Sequence, residues 1–124
     1  MKYIAFVASL LFSVACFANT PVITQQQLLE NQMSSNAYTI IDVRSKEEFN
    51  DGHVKGALNI PHNQIEENMS VLEALKDQTL VVYCRSGRRA GLFEEALSKK
   101  GFKLKHLEGD YLAWSEKQLP LIKK

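Results

Sequence analysis

The apolar positions fall into short blocks of two different periods. Thr79-Leu80-Val81-Val82-Tyr83 is apolar at almost every place, the pattern of a strand buried on both faces in a parallel sheet covered by helices. Tyr38-Thr39-Ile40-Ile41 and Ala57-Leu58-Asn59-Ile60 are briefer β-rich runs, ended by Asp42 and Pro61. Lys103-Leu104-Lys105-His106-Leu107 alternates as a strand does. Between these runs the period becomes helical. Thr24 precedes Gln25-Gln26-Gln27-Leu28-Leu29 as a cap would, and Ser45 with Glu48 has the spacing of a capping box, for a helix stopping near Asp51-Gly52. Ile65, Met69, Leu72 and Leu75 share one helical face, with Val71 beside it. Arg89 to Lys100 predicts a helix with Leu92, Phe93, Ala96 and Leu97 inward and Gly101 as its C-terminal glycine. A last short helix is predicted from Asp110 to Glu116. Strands alternating with helices make an α/β domain with a mainly parallel sheet.

The N-terminus follows another rule. Met1-Lys2 is a short positive start, and Tyr3 to Val14 is apolar apart from Ser9 and Ser13. Ala15-Cys16-Phe17-Ala18 then puts small residues at −3 and −1 of a cut after Ala18. This is the layout of a cleavable secretory signal peptide, and the run is short for a membrane anchor. The expected division is a signal peptide at 1–18 and one domain at 19–124, released into the periplasm with no membrane segment after cleavage. Lipidation at Cys16 is the other reading of the same residues. It fits less well, because serine stands at 13 where a lipobox has leucine.

Of 124 residues, 45% are hydrophobic and 23% are charged, enough for one core. Fifteen basic and 14 acidic residues give a formal charge of +1, which leaves no basic footprint for nucleic acid. The signal peptide would take Lys2 with it, and also Cys16, one of the two cysteines. Cys84 is then alone in an oxidising compartment, without an internal disulfide partner. It is either an inert buried thiol or a reactive one.

Its surroundings favour reactivity. Cys84 follows the most apolar strand directly, and Arg85-Ser86-Gly87-Arg88-Arg89 leads into a helix. A strand–loop–helix junction at the carboxyl end of a central strand is where open α/β sheets bind ligands. Loop N–H groups and the helix N-terminus can converge on the sulfur, Gly87 permits the curl, and three arginines add positive charge. All of these favour a thiolate nucleophile and an anionic substrate. Phosphate chemistry is the competing reading. A phosphatase-type cradle places arginine six positions after the cysteine, where this chain has Ala90; its arginines stand one, four and five positions after.

With these residues in view, the chain resembles the rhodanese family. Ile41-Asp42-Val43-Arg44, Glu48-Phe49 and Gly52-His53-Val54-Lys55-Gly56-Ala57-Leu58-Asn59-Ile60-Pro61 are similar to its first block, and Val81 to Ala90 to its active-site loop. Leu107-Glu108-Gly109-Asp110-Tyr111 with Trp114 resembles its closing motif, with Gly109-Asp110 where the family usually shows Gly-Gly. That departure falls outside the loop and is expected to leave the chemistry largely unchallenged. The likeness covers residues 22 to 120 and is strongest to small single-domain periplasmic members. It implies a five-stranded mainly parallel sheet flanked by helices. It also implies a cycle in which Cys84 takes the outer sulfur of thiosulfate and passes it to cyanide or a thiol acceptor, with no metal or organic cofactor.

Cys84 is thus the expected catalytic residue, with Arg85, Ser86, Gly87, Arg88 and Arg89 binding substrate. The sequence does not divide the roles of Arg88 and Arg89, and Arg85 could steer substrate from the surface. Asp42, Arg44 and His53 are expected in support, the first two as an ion-pair network fixing the loop and His53 as a hydrogen-bonded structural histidine. Tyr111 and Trp114 read as core or rim aromatics. His53, His62 and His106 have no zinc-ligand spacing. A persulfide carrier that docks to a partner protein, and a phosphatase or arsenate reductase, are the alternatives in function. The oligomeric state is not encoded in any of these patterns.

Overall fold

The computed structural model describes residues 20–123. The expected signal peptide at 1–18, its cut after Ala18 and the lipidation alternative at Cys16 lie outside the described residues. The chain runs β1 (Val22–Ile23), α1 (Gln25–Gln32), β2 (Thr39–Asp42), α2 (Lys46–Asp51), β3 (His53–Val54) and β4 (Leu58–Asn59). A 3₁₀ turn (Glu66–Asn68) leads into α3 (Met69–Ala74), then β5 (Thr79–Tyr83), α4 (Arg88–Ser98), β6 (Lys103–Leu107), α5 (Asp110–Glu116) and β7 (Leu121–Ile122). The main sheet has the order β1-β6-β5-β2-β4, with every pairing parallel. This is the five-stranded sheet that the family resemblance implied, with β5 at its centre.

The period-2 geometry of β5 decides where the cysteine goes. Leu80 and Val82 point into one layer, packed with Ile41, Leu72, Phe93 and Leu97, and Val81 and Tyr83 point into the other, with Leu28, Ile40 and Trp114. Each such side chain contributes about 1.5–3 kcal/mol by leaving water. Cys84 continues the first series, so it enters the layer of α3 and α4. Both predicted capping boxes are present, Thr24 with Gln27 on α1 and Ser45 with Glu48 on α2.

The structure differs from the sequence expectation in three respects. The helix expected from Ile65 opens as a 3₁₀ turn and becomes α-helical only at Met69. Asn68, at the junction, spends its side-chain amide on the Gln64 carbonyl at 2.8 Å and provides no cap for α3. In α4, Leu92 is 47% exposed, while the buried stripe is Ala90, Phe93, Glu94 and Leu97. A carboxylate inside that stripe is the unexpected member, and its partner lies at the functional site. Finally, β1 and the antiparallel β3–β7 ribbon were not predicted; these two-residue strands, unlike β4, do not lie within a longer apolar β-rich run.

Candidate active site

Cys84 sits at the carboxyl end of β5 and is 1% exposed. The next residues turn sharply and enter α4 through Gly87, whose φ of +116° lies in the region favouring glycine. This turn brings the Gly87 N–H to the Cys84 sulfur, N···Sγ 3.0 Å. The amide and the α4 N-terminus both present positive potential to the sulfur.

The loop is held from outside. Tyr111 N–H donates to the Cys84 carbonyl at 2.9 Å, and Leu112 N–H to the Arg85 carbonyl at 3.2 Å. These are N-terminal amides of α5, which have no acceptor inside their own helix. On the other side of the peptide, Asp110 Oδ1 accepts the Cys84 N–H at 2.9 Å. The cysteine backbone is therefore fixed at both its N–H and its C=O.

The expected binding residues separate into two sets. Arg85, Ser86 and Arg88 are exposed at the rim. Arg89 turns to α2 and forms a two-pronged pair with Glu48, Nη1···Oε1 2.7 Å and Nη2···Oε2 3.1 Å. Its hydrogen bonds hold the Glu48 carboxyl at about 2, well below the ordinary carboxylate range. The Arg89 cation is itself made more secure, first by Glu48 and in smaller measure by the nearby Cys84 and Asp42. Glu48 thus has a second task beyond its capping box, which its spacing from Ser45 alone did not disclose.

Asp42 and Arg44 form a buried network beneath the same end of the sheet. Arg44 donates to both Asp42 oxygens, 2.7 Å at the closest, and to the Gly52 carbonyl at 2.6 Å. Tyr83 donates its hydroxyl to Asp42 Oδ2 at 2.6 Å and accepts the Val54 N–H at 3.0 Å. Burial, and then the Asp42 charge, push the Tyr83 hydroxyl far up, so it stays a donor. The Arg44 guanidinium also lies 4.0 Å from the centre of the Tyr111 ring. His53 is 8% exposed, stacks on Phe49 at 3.6 Å between ring centres and donates Nδ1–H to the Phe49 carbonyl at 2.8 Å. These contacts tie β2, α2, β3 and β5 together. Trp114 is buried and donates to the Pro120 carbonyl, and Tyr111 lies partly exposed beside Arg44.

Sequence reasoning did not find the group behind Cys84. His106 on β6 bonds through Nδ1 to Glu94 of α4 and through Nε2 to Asp110 of α5, the latter at 3.0 Å. Glu94 and Asp110 are 6% and 4% exposed. Hydrogen bonds to Asp110 and then Glu94 raise His106 from 6.5 to about 10. The residue that departs from the family motif, Asp110, therefore touches the cysteine directly. Only that departure could have signalled the group. Because the folded state holds the proton more tightly, the stabilisation is complete below pH 6.5 and is lost as pH rises through about 10. The urea midpoint of the wild type should exceed that of His106→Asn by a constant amount below pH 6.5, and the gap should close toward pH 10. A gap independent of pH would rule out a folded-state imidazolium.

Comparison with known proteins agrees with this geometry. The rhodanese-like domain model matches residues 24–117. Thiosulfate sulfurtransferase PspE of Escherichia coli K12 is 40% identical over 62 residues, spanning 50% of this chain and 60% of that protein. The chain spans about three fifths of the length of the curated relatives it matches first. A rhodanese-related protein from Thermoplasma volcanium superposes with a TM-score of 0.74 at 31% identity, covering 84% of this chain and 99% of that one. A structure described as rhodanese with anions from E. coli gives 0.59 at 33% identity, covering 71% and 100%. With the family model matched over most of the chain and the fold shared with a rhodanese-related structure, the chain belongs to the rhodanese family.

Proposed function

We propose that the protein is a thiosulfate sulfurtransferase working through a persulfide on Cys84. The observation that carries this reading is the Gly87 N–H aimed at Sγ from 3.0 Å, in a loop fixed at the Cys84 backbone. Such a cradle stabilises negative charge on sulfur before and after transfer. Cys84 is the nucleophile. Its thiolate attacks the outer sulfur of thiosulfate, the S–S bond of the donor breaks, and sulfite leaves with the electron pair. Cyanide or an acceptor thiolate then attacks the terminal persulfide sulfur, and Cys84 departs as thiolate. Neither step needs a general base, a metal or an organic cofactor once the reacting sulfurs are anionic.

Arg85 and Arg88, exposed at the rim with Ser86, draw in the anionic donor. The loop amides of residues 85 to 89 receive it. Arg89 serves indirectly, since its guanidinium is occupied by Glu48. Asp42, Arg44 and His53 keep the platform rigid. The 1% exposure of Cys84 favours slender reactants: the outer sulfur of thiosulfate, cyanide, or the tip of a thiol. Phosphoryl transfer is disfavoured by the shorter loop and by the absence of arginine at position 90, which is a buried alanine. The relative described as a rhodanese with anions adds support for an anion-binding loop.

Purified protein should form thiocyanate from thiosulfate and cyanide, and Cys84→Ala should abolish it. Undiminished turnover by the alanine variant would refute the mechanism. A stable persulfide with negligible turnover would favour delivery of sulfur to a partner protein. Hydrolysis of a phosphate ester without sulfur transfer would revive the phosphatase reading. We also place the protein in the periplasm, on the apolar run and small-residue cut at the N-terminus. The exported form should begin at Asn19 by mass; retention of Cys16 with an attached lipid would contradict this.

A further inference from the structure

Behind the loop, three elements each contribute one titratable side chain to a single line of contacts. Glu94 comes from α4, His106 from β6 and Asp110 from α5. The line ends on the Cys84 N–H, which Asp110 Oδ1 accepts at 2.9 Å. Asp110 Oδ2 also lies under the hinge of the loop, since a β-carbon on Gly87 would sit 3.3 Å from it. The backbone at Asp110 has a φ of +55°, a region disfavoured for residues other than glycine, though aspartate tolerates it better than most. A glycine would adopt this conformation without strain. The chain instead carries a carboxylate here, buried and with both oxygens engaged.

We propose that Asp110 is a positioning residue for sulfur transfer: it fixes the Cys84 backbone so that Sγ stays seated on the Gly87 amide, and His106 with Glu94 holds it in place. Sγ and the Gly87 amide are joined to the same short loop, so a shift of the Cys84 peptide moves the sulfur off its donor. Charge gives His106 its part, and Glu94, bonded to the far ring nitrogen, holds the imidazole in place. A lone carboxylate behind an anion-binding loop would repel both the thiolate and its donor. An imidazolium between Glu94 and Asp110 offsets one of the two negative charges, and its high affinity for the proton keeps it charged across neutral pH. Among the described residues, the titratable groups bonded into this assembly are Glu94 of α4, His106 of β6 and Asp110 of α5, with Cys84 at its end.

The inference rests on Cys84 being the reacting sulfur, and its test separates that premise from the new claim. Asp110→Asn and Asp110→Gly remove the same charge, but only asparagine retains a side-chain oxygen for the Cys84 N–H. Glycine is also the family's usual residue here and relieves the backbone. If Asp110 matters only for backbone shape, Asp110→Gly should equal or exceed the wild type. The positioning role predicts the reverse order. Sulfur-transfer kcat/KM of Asp110→Gly should fall at least about tenfold below that of Asp110→Asn, mainly in kcat, because small misplacements of a reacting atom are costly.

Alkylation of Cys84 by iodoacetamide across pH needs no sulfur donor, so it reports even if thiosulfate is not a substrate. The profile of Asp110→Gly should lie at higher pH than that of Asp110→Asn. His106→Ala, which leaves both carboxylates without the cation, should also move the profile to higher pH than the wild type. It provides a second variant if the glycine protein does not fold. Coincident alkylation profiles and equal kcat/KM for the two Asp110 variants would overturn the proposal. So would a His106→Ala profile identical to the wild type.

Discussion

A short loop can turn its amides toward one sulfur atom only if its carbonyls are satisfied elsewhere. Here α5 meets that condition. Its first free N–H groups, on Tyr111 and Leu112, accommodate the carbonyls of Cys84 and Arg85. With those oxygens engaged, the Gly87 amide is free to face Sγ. An unpaired buried carbonyl would cost about 1–3 kcal/mol, comparable with the whole gain from a charge-assisted bond to sulfur. The closing segment of the fold, far along the chain from the cysteine, is therefore part of the loop's construction.

The charges around this frame are arranged to preserve the loop without crowding the sulfur. Arg89 belongs to the loop in sequence but is anchored to Glu48 on α2. Arg44 is buried against Asp42 and Tyr111. Breaking such a buried pair from one side costs about 3–5 kcal/mol, because it strands the other charge. The cations left exposed at the rim are Arg85 and Arg88. Positive charge is thus divided between holding the platform and meeting an anionic substrate.

Much of this was legible in the sequence, for reasons that can be named. The nearly all-apolar run at Thr79–Tyr83 identified the central strand, and the position of Cys84 directly after it placed the sulfur at the sheet's carboxyl edge. The capping boxes at Thr24 and Ser45 depend on neighbouring residues, so they could be read locally. The Asp42–Arg44 pair was expected because charged groups at a strand end often serve structure. What escaped was long-range and polar. Glu48 meets Arg89 across 41 residues, and Cys84 meets Asp110 across 26. Glu94 lies inside a helical stripe whose period suggested Leu92, because a buried carboxylate is tolerated only when a partner such as His106 is brought to it by another strand. No local pattern encodes such meetings.

Sulfur transfer requires that the cradle around Cys84 hold a transferred sulfur atom. Intact-mass analysis after incubation with thiosulfate, followed by peptide mapping, tests this most directly. It should find one added sulfur atom, on Cys84, removed by cyanide. A protein that remains unmodified by thiosulfate while its Cys84 is free to react would contradict it.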